Sequence, residues 1–155
     1  MNTLVLYYSL TGRTHYEAKR KAEALSGELY EVREQRRRSL LSANIFGPGQ
    51  ARKRALVFVE PIAVRMEEYD RIVILCPIWG GYPAPAFNSI VAELPAGKEV
   101  EIVLTSDTGR AKALDELKTR VERMGVTVTR LEVIRTEDLK KRDRRRRKRM
   151  KQNAE

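Results

Sequence analysis

Ser9-Leu10-Thr11-Gly12-Arg13-Thr14 brings three hydroxyls, a glycine and a guanidinium into six consecutive residues. An apolar run precedes them and a helical pattern follows, so they form a turn opening a helix. A helix N-terminus offers unpaired N–H groups and a partial positive charge, and hydroxyls in the preceding loop add donors aimed at the same point. That set suits a phosphate. The G-x-x-x-x-G-K-[ST] pattern is absent, and Gly12 alone cannot make G-x-G-x-x-G, so neither a nucleoside triphosphatase loop nor a dinucleotide fingerprint is present. Spacing alone leaves a plain threonine N-cap beside a glycine turn as an equal alternative.

A second cluster, Pro77-Ile78-Trp79-Gly80-Gly81-Tyr82-Pro83-Ala84-Pro85, holds the only tryptophan. Trp79 and Tyr82 beside two glycines could form an aromatic wall with backbone close to a planar ring. A core tryptophan before a proline-started helix is the plainer reading. His15 reads as a solvated surface group, Cys76 as a buried thiol and Asp107 as a turn or N-cap residue. One cysteine and one histidine make an intramolecular disulfide impossible and a cysteine zinc site implausible, so no metal is expected.

The elements that must position these loops follow from periodicity. Leu4 to Tyr8 reads as a strand buried on both faces, and Thr14 to Leu25 as a helix with Ala18, Ala22 and Leu25 inward and Gly27 at its C′ position. Leu29 to Glu34 is a shorter strand. Arg71 to Cys76 is the most apolar run, ends at Pro77 and belongs in mid-sheet. Phe87, Ile90, Val91 and Leu94 make one helix stripe; Val100 to Thr105 is a strand. Leu114, Leu117, Val121 and Met124 make another helix, closed at Gly125, before a last strand over Val126 to Ile134. Residues 35–61 read as an irregular excursion with about one helical turn, broken at Gly47-Pro48-Gly49. The alternation predicts an α/β, doubly wound five-stranded parallel sheet, whose ligands bind at the strands' carboxyl ends. Both loops then share one rim.

The chain has 155 residues and a formal charge of +10. From Leu139 to Glu155 there are ten Lys and Arg against Asp143 and Glu155, a net of +8 that leaves +2 for the other 138 residues. The expected division is a domain over 1–138 and a basic tail over 139–155. The tail cannot build a core and stays solvated unless a partner neutralises it. Residues 140–151 can attract nucleic acid or an acidic protein. An anionic membrane is the least expected partner, because the charged run brings no apolar face. No apolar stretch approaches a membrane span, and a reduced cytoplasmic protein is expected.

With these residues in view, the chain resembles the flavodoxin family over roughly residues 3 to 135. Ser-x-Thr-Gly-x-Thr after the first strand resembles that family's FMN-phosphate loop, and Tyr69-Asp70 through Gly81 resembles its segment leading into the isoalloxazine loop. The resemblance implies strand order 2-1-3-4-5 and one FMN. Ser9, Thr11, Gly12, Arg13 and Thr14 would hold its phosphate, and Pro77, Ile78, Trp79, Gly80, Gly81 and Tyr82 would flank the ring. The Gly80-Gly81 backbone would answer the flavin N5. Thr105, Ser106, Asp107 and Gly109 would be the third flavin loop. No side chain need be catalytic, since redox chemistry belongs to the cofactor. The implied function is electron transfer to a redox partner protein, or reduction of a small acceptor by an FMN-dependent oxidoreductase of the quinone-reductase type. The other reading is a non-enzymatic module without FMN whose tail binds nucleic acid or an acidic partner.

The resemblance is incomplete. The family is typically acidic, whereas this body is near neutral. Its last helix covers one sheet face, whereas Leu139 and Met150, the only apolar residues between Thr136 and Ala154, cannot make a stripe. Lys and Arg stems or a second copy in a homodimer must then cover that face.

Overall fold

The computed structural model describes residues 1–136 and 139–154, apart from the side chains of residues 139, 140, 142, 143 and 146. Strand β1 (Thr3–Tyr7) lies between β2 (Glu28–Glu31) and β3 (Arg71–Trp79), and β5 (Glu99–Ser106) and β6 (Thr127–Arg135) follow on the far side of β3. All these pairings are parallel, and the order is β2-β1-β3-β5-β6. Counting only these five strands, this is the expected 2-1-3-4-5 arrangement. A short strand β4 (Tyr82–Pro83) adds an antiparallel hairpin to the end of β3.

Alternation along the strands divides the core into two. Leu4, Leu6, Ile72, Ile74, Ile102 and Leu104 face Phe87 and Ile90 of α3 (Pro85–Ala92) and Leu117 and Val121 of α4 (Leu114–Glu122). Val5, Tyr7, Val73, Leu75 and Val103 face Ala18 and Ala22 of α1 (Arg13–Leu25). A side chain such as Phe87, fully buried here, contributes about 1.5–3 kcal/mol. Both faces of the central strands are therefore closed, which is why those strands read as unbroken apolar runs.

Several expectations need correction. The left-handed residue ending α1 is Ser26 (φ 49°), not Gly27. Gly27 answers a different need, because a Cβ there would lie 3.1 Å from the Thr3 carbonyl oxygen. Strand β3 does not stop at Pro77 but runs through it to Trp79. Leu75 accepts a hydrogen bond from the Tyr8 N–H, and residues two apart point the same way, so the Pro77 nitrogen faces the side that β1 has already left. No ladder bond is lost, and the Pro77 carbonyl accepts instead from the Ala84 N–H at 2.9 Å.

The larger correction is helix α2 (Leu40–Arg52), inside the segment read as irregular. Ser39 caps it by accepting from the Ser42 N–H at 3.1 Å. Its buried stripe is Ala43, Gly47 and Ala51, at intervals of four, while Leu41, Ile45 and Phe46 face outward. The large apolar residues thus pointed away from the real packing face, and Gly47-Pro48-Gly49 read as a break although Pro48 lies inside the helix. Helix α2 packs on α3, β3 and β4. The chain then returns along the sheet edge beyond β2, with the Gln35 N–H donating to Phe58 and the Glu60 N–H to Arg33.

Within the basic tail, residues Leu139–Asn153 form helix α5, whose described side chains are all exposed. On the α1 side of the sheet, Lys21 of α1 pairs with the buried Glu101, with Nζ at 2.5 Å from Oε1. Among the described residues, no helix is long and apolar enough to cross a membrane.

Candidate functional site

The ends of β1, β3 and β5 meet at one rim and enclose a cleft of about 340 Å³. Leu10, Thr11, Arg13 and Thr14 line it from the first loop, Pro77, Ile78, Trp79 and Gly80 from the second, and Thr105, Ser106 and Asp107 from the third. Thr11 and Trp79 thus share one cavity. Helix α2 supplies a fourth wall through Leu40, Ala43, Asn44 and Pro48, and Thr136 closes the side beyond β6.

The first loop is held by its own polar groups. The Gly12 N–H donates to Ser9 Oγ at 3.0 Å, and Gly12 takes φ 91°, a left-handed conformation that favours glycine at the entry to α1. No side chain caps α1. Thr14 Oγ1 and Thr105 Oγ1 lie 2.8 Å apart in a buried hydrogen bond that ties the first loop to the third. Arg13 forms an ion pair with Asp107 across the same two loops. The third loop is braced by Ser106 Oγ, which accepts from the Thr108 N–H at 3.2 Å.

Trp79 is a fixed wall. The Tyr8 ring meets it edge-on at 5.9 Å between centroids, and the Arg38 guanidinium lies 5.3 Å from its ring. Gly47 of α2 is so close that a Cβ there would be 2.8 Å from Cε3 of the indole. Arg38 is itself held, because Nε donates to both carboxylate oxygens of Glu34 at 2.9 Å, and Tyr8 OH donates to Glu34 Oε1 at 2.6 Å. Both charged side chains are more than nine-tenths buried. Burial first, and the hydrogen bond to Glu34 second, push the Tyr8 phenol far above its ordinary range. Burial does the same to the Cys76 thiol.

Gly80 and Gly81 both have positive φ, 61° and 96°, and join β3 to β4 as the two-residue turn of the hairpin. A Cβ on Gly80 would strike Pro48 at 2.8 Å, so α2 covers the tip of the hairpin.

Ten of the residues singled out in the sequence line the cleft. Ser9 lines a neighbouring cavity with Arg37 and Arg38. Gly81 and Tyr82 turn to the other side of the hairpin, where the Gly81 carbonyl accepts from the Lys112 N–H at 2.7 Å and Tyr82 shares a small pocket with Lys112 and Ala51. Gly12 and Gly109 (φ 72°) serve as backbone hinges of their loops. His15 is exposed, does not line the cleft and bonds Tyr7 OH through Nδ1 at 2.5 Å. Sequence reasoning missed the α2 wall and the Tyr8–Glu34–Arg38 brace. It also missed Thr136, which its place at the end of the last strand could have flagged.

Among the described residues, the lining contains hydroxyls, one amide and the Arg13–Asp107 pair against apolar surfaces, with no Cys, His, Glu or Lys. Such a set binds and orients a ligand with an anionic end and a flat apolar body; it holds no nucleophile with a neighbouring base.

No protein-family model and no curated protein matches the chain. Among solved structures, it is similar to a flavoprotein from Lactobacillus acidophilus, crystallised in complex with FMN, with TM-score 0.71, 22% identity, and 85% of this chain and 92% of that one covered. A provisionally assigned flavoprotein from Bacteroides uniformis has TM-score 0.70 and 27% identity, with 86% and 91% covered. A flavodoxin from Streptococcus pneumonia has TM-score 0.50 and 17% identity, with 90% and 89% covered. The chain therefore has the flavodoxin-like fold that its first two rim loops resembled in sequence.

Proposed function

We propose that the protein is an FMN-binding flavodoxin-like redox protein, which exchanges electrons with a partner protein or reduces a small acceptor. The observation that carries this reading is the convergence of Thr11–Thr14, Trp79 and Thr105–Asp107 on one cleft beside an uncapped helix N-terminus. The donor set fits the group. Thr11, Thr14 and the backbone N–H groups that follow the Gly12 turn would hold the phosphate, with Ser9 keeping the loop closed. Arg13 lines the same cleft and would divide its charge between the phosphate and Asp107. Pro77, Ile78, Trp79 and Gly80 would form one wall for the ring, and Thr105, Ser106 and Asp107 the other. Gly81, Tyr82 and Gly109 would act through the turns they shape. FMN, when bound, would supply the redox chemistry, and the chain's part is to seat and shield it.

The test is to titrate the apoprotein with FMN and with riboflavin, following flavin fluorescence. FMN should bind at least about tenfold more tightly, since only it carries the anion that the α1 N-terminus and Arg13 answer. Failure to take up FMN would end the proposal, and equal affinity for both flavins would remove the phosphate role of the first loop.

A further inference from the structure

Between Glu34 and Glu60 the chain has six Lys and Arg and no carboxylate. The same stretch holds Leu40, Leu41, Ile45, Phe46, Leu56 and Phe58, six of the eight large apolar side chains that are exposed among the described residues. Exposed apolar residues scattered singly need no explanation, but a concentration of this kind marks an interaction surface. On α2 the geometry is definite. Ala43, Gly47 and Ala51 face the protein, and Leu41, Ile45 and Phe46 stand on the outer side at 69%, 60% and 61% exposure. Arg36 and Arg37 precede the helix and Arg52, Lys53 and Arg54 close it, all exposed.

We propose that α2 docks this protein on an anionic lipid bilayer. An apolar helix face flanked by cations is the pattern of an interfacial helix, and stable attachment requires a second signal besides the inserted side chains. Helix α5 supplies it: every cation of α5 whose side chain is described is exposed. A run of this many cations adds attraction to the negative headgroups of a bilayer. A second copy is disfavoured as the occupant. A two-fold pairing through this segment would set Arg36, Arg37, Arg52 and Lys53 against the same four, with no carboxylate between Glu34 and Glu60 to answer them; Arg38 is buried against Glu34 and Arg54 pairs with Glu116. Nucleic acid would use the cations but has no use for Leu41 and Ile45. On this proposal the apolar companion that the basic tail lacks comes from a distant segment. Because α2 is also a wall of the cleft, docking would set the cleft beside the lipid boundary.

The experiment is sedimentation of the full-length protein with phosphatidylcholine vesicles, with and without phosphatidylserine, at low and at physiological salt. The expected result is partition onto phosphatidylserine vesicles alone, weakened by salt. It should fall roughly tenfold or more in an Ile45→Ser/Phe46→Ser variant, whose exposed positions leave the fold and its Trp79 fluorescence unchanged. Absence of binding at low salt would overturn the proposal, as would undiminished binding by the variant, which would reduce the attraction to charge alone. A dimer in light scattering that the variant dissociates would assign the face to a second copy, and RNA binding without vesicle binding would assign the cations to nucleic acid; either result also overturns it.

Discussion

Gly47 and Gly49 lie two residues apart in α2, and replacing each with alanine should have opposite effects. At Gly49 a new Cβ meets nothing within 4 Å. Alanine there gains the usual helix preference over glycine, so stability should rise by about 0.5–1 kcal/mol. At Gly47 the Cβ would lie 2.8 Å from Cε3 and 3.2 Å from Cζ3 of Trp79. Carbon atoms rest near 3.5–4.0 Å, so the helix or the ring must move by roughly 0.7–1.2 Å. Trp79 cannot easily retreat, because Tyr8 meets one edge and Arg38, clamped by Glu34, lies against the ring. The following Pro48 also disfavours helical backbone at a preceding residue that carries a Cβ. Overpacking of this kind costs about 1–3 kcal/mol, which exceeds the helix gain. Gly47→Ala should therefore lose roughly 1–2 kcal/mol, push α2 outward and widen the cleft. Urea unfolding read by the single tryptophan gives the stability, and amide exchange along residues 40–52 reads the local opening. If Gly47→Ala proves as stabilising as Gly49→Ala, with Trp79 fluorescence unchanged, the packing argument for α2 is wrong.

Three further outcomes follow from buried or paired ionisable groups. Folding holds the Cys76 and Tyr8 protons, whereas the unfolded chain releases them near the ordinary values of 9.0 and 10.0, so the folded state binds more protons in alkali. Stability should be unaffected by these groups below pH 9, then fall by up to about 1.4 kcal/mol per pH unit and more steeply beyond pH 10. Urea midpoints of wild type and Cys76→Ala across that range check this, and an unchanged slope in the variant would contradict it. Lys21→Met strands the Glu101 carboxylate, 6% exposed, without its partner and should cost roughly 3 kcal/mol by urea unfolding. Adding Glu101→Leu should recover most of the loss, whereas a single-variant cost under about 1 kcal/mol would deny the pair its structural role. Asp107→Asn removes the acid bound to Arg13, and FMN affinity in a fluorescence titration should rise by roughly three- to tenfold; weaker binding would show that Asp107 serves the ligand directly.

The central strands were legible because burial on both faces leaves an unmistakable apolar run, and Val5 and Leu6 point to opposite cores yet are both fully buried. The α4 stripe at Leu117 and Val121 was legible because large residues faced inward. Helix α2 was not. Its packing face is built from Ala43, Gly47 and Ala51, whose small side chains carry little hydrophobic signal and permit close approach to Trp79 and the Gly80 turn. Pro77 read as a strand end because its missing N–H breaks a ladder in general; only the end of β1 opposite makes that harmless.

By itself the amino-acid order determined the α/β class, the strand order implied by the family resemblance, and the two loops that meet at the rim. The class and the loops rest on local period and composition, which act within a few residues of one another; the strand order rests on the resemblance. The tertiary structure alone decided that α2 walls the cleft, that Arg38 and Glu34 brace the indole from behind, that Arg13 is paired with Asp107, and that the apolar side of α2 is turned to solvent. Each of these depends on which surfaces come close enough to touch, and closeness across 94 residues, as between Arg13 and Asp107, leaves no mark in any short window of sequence.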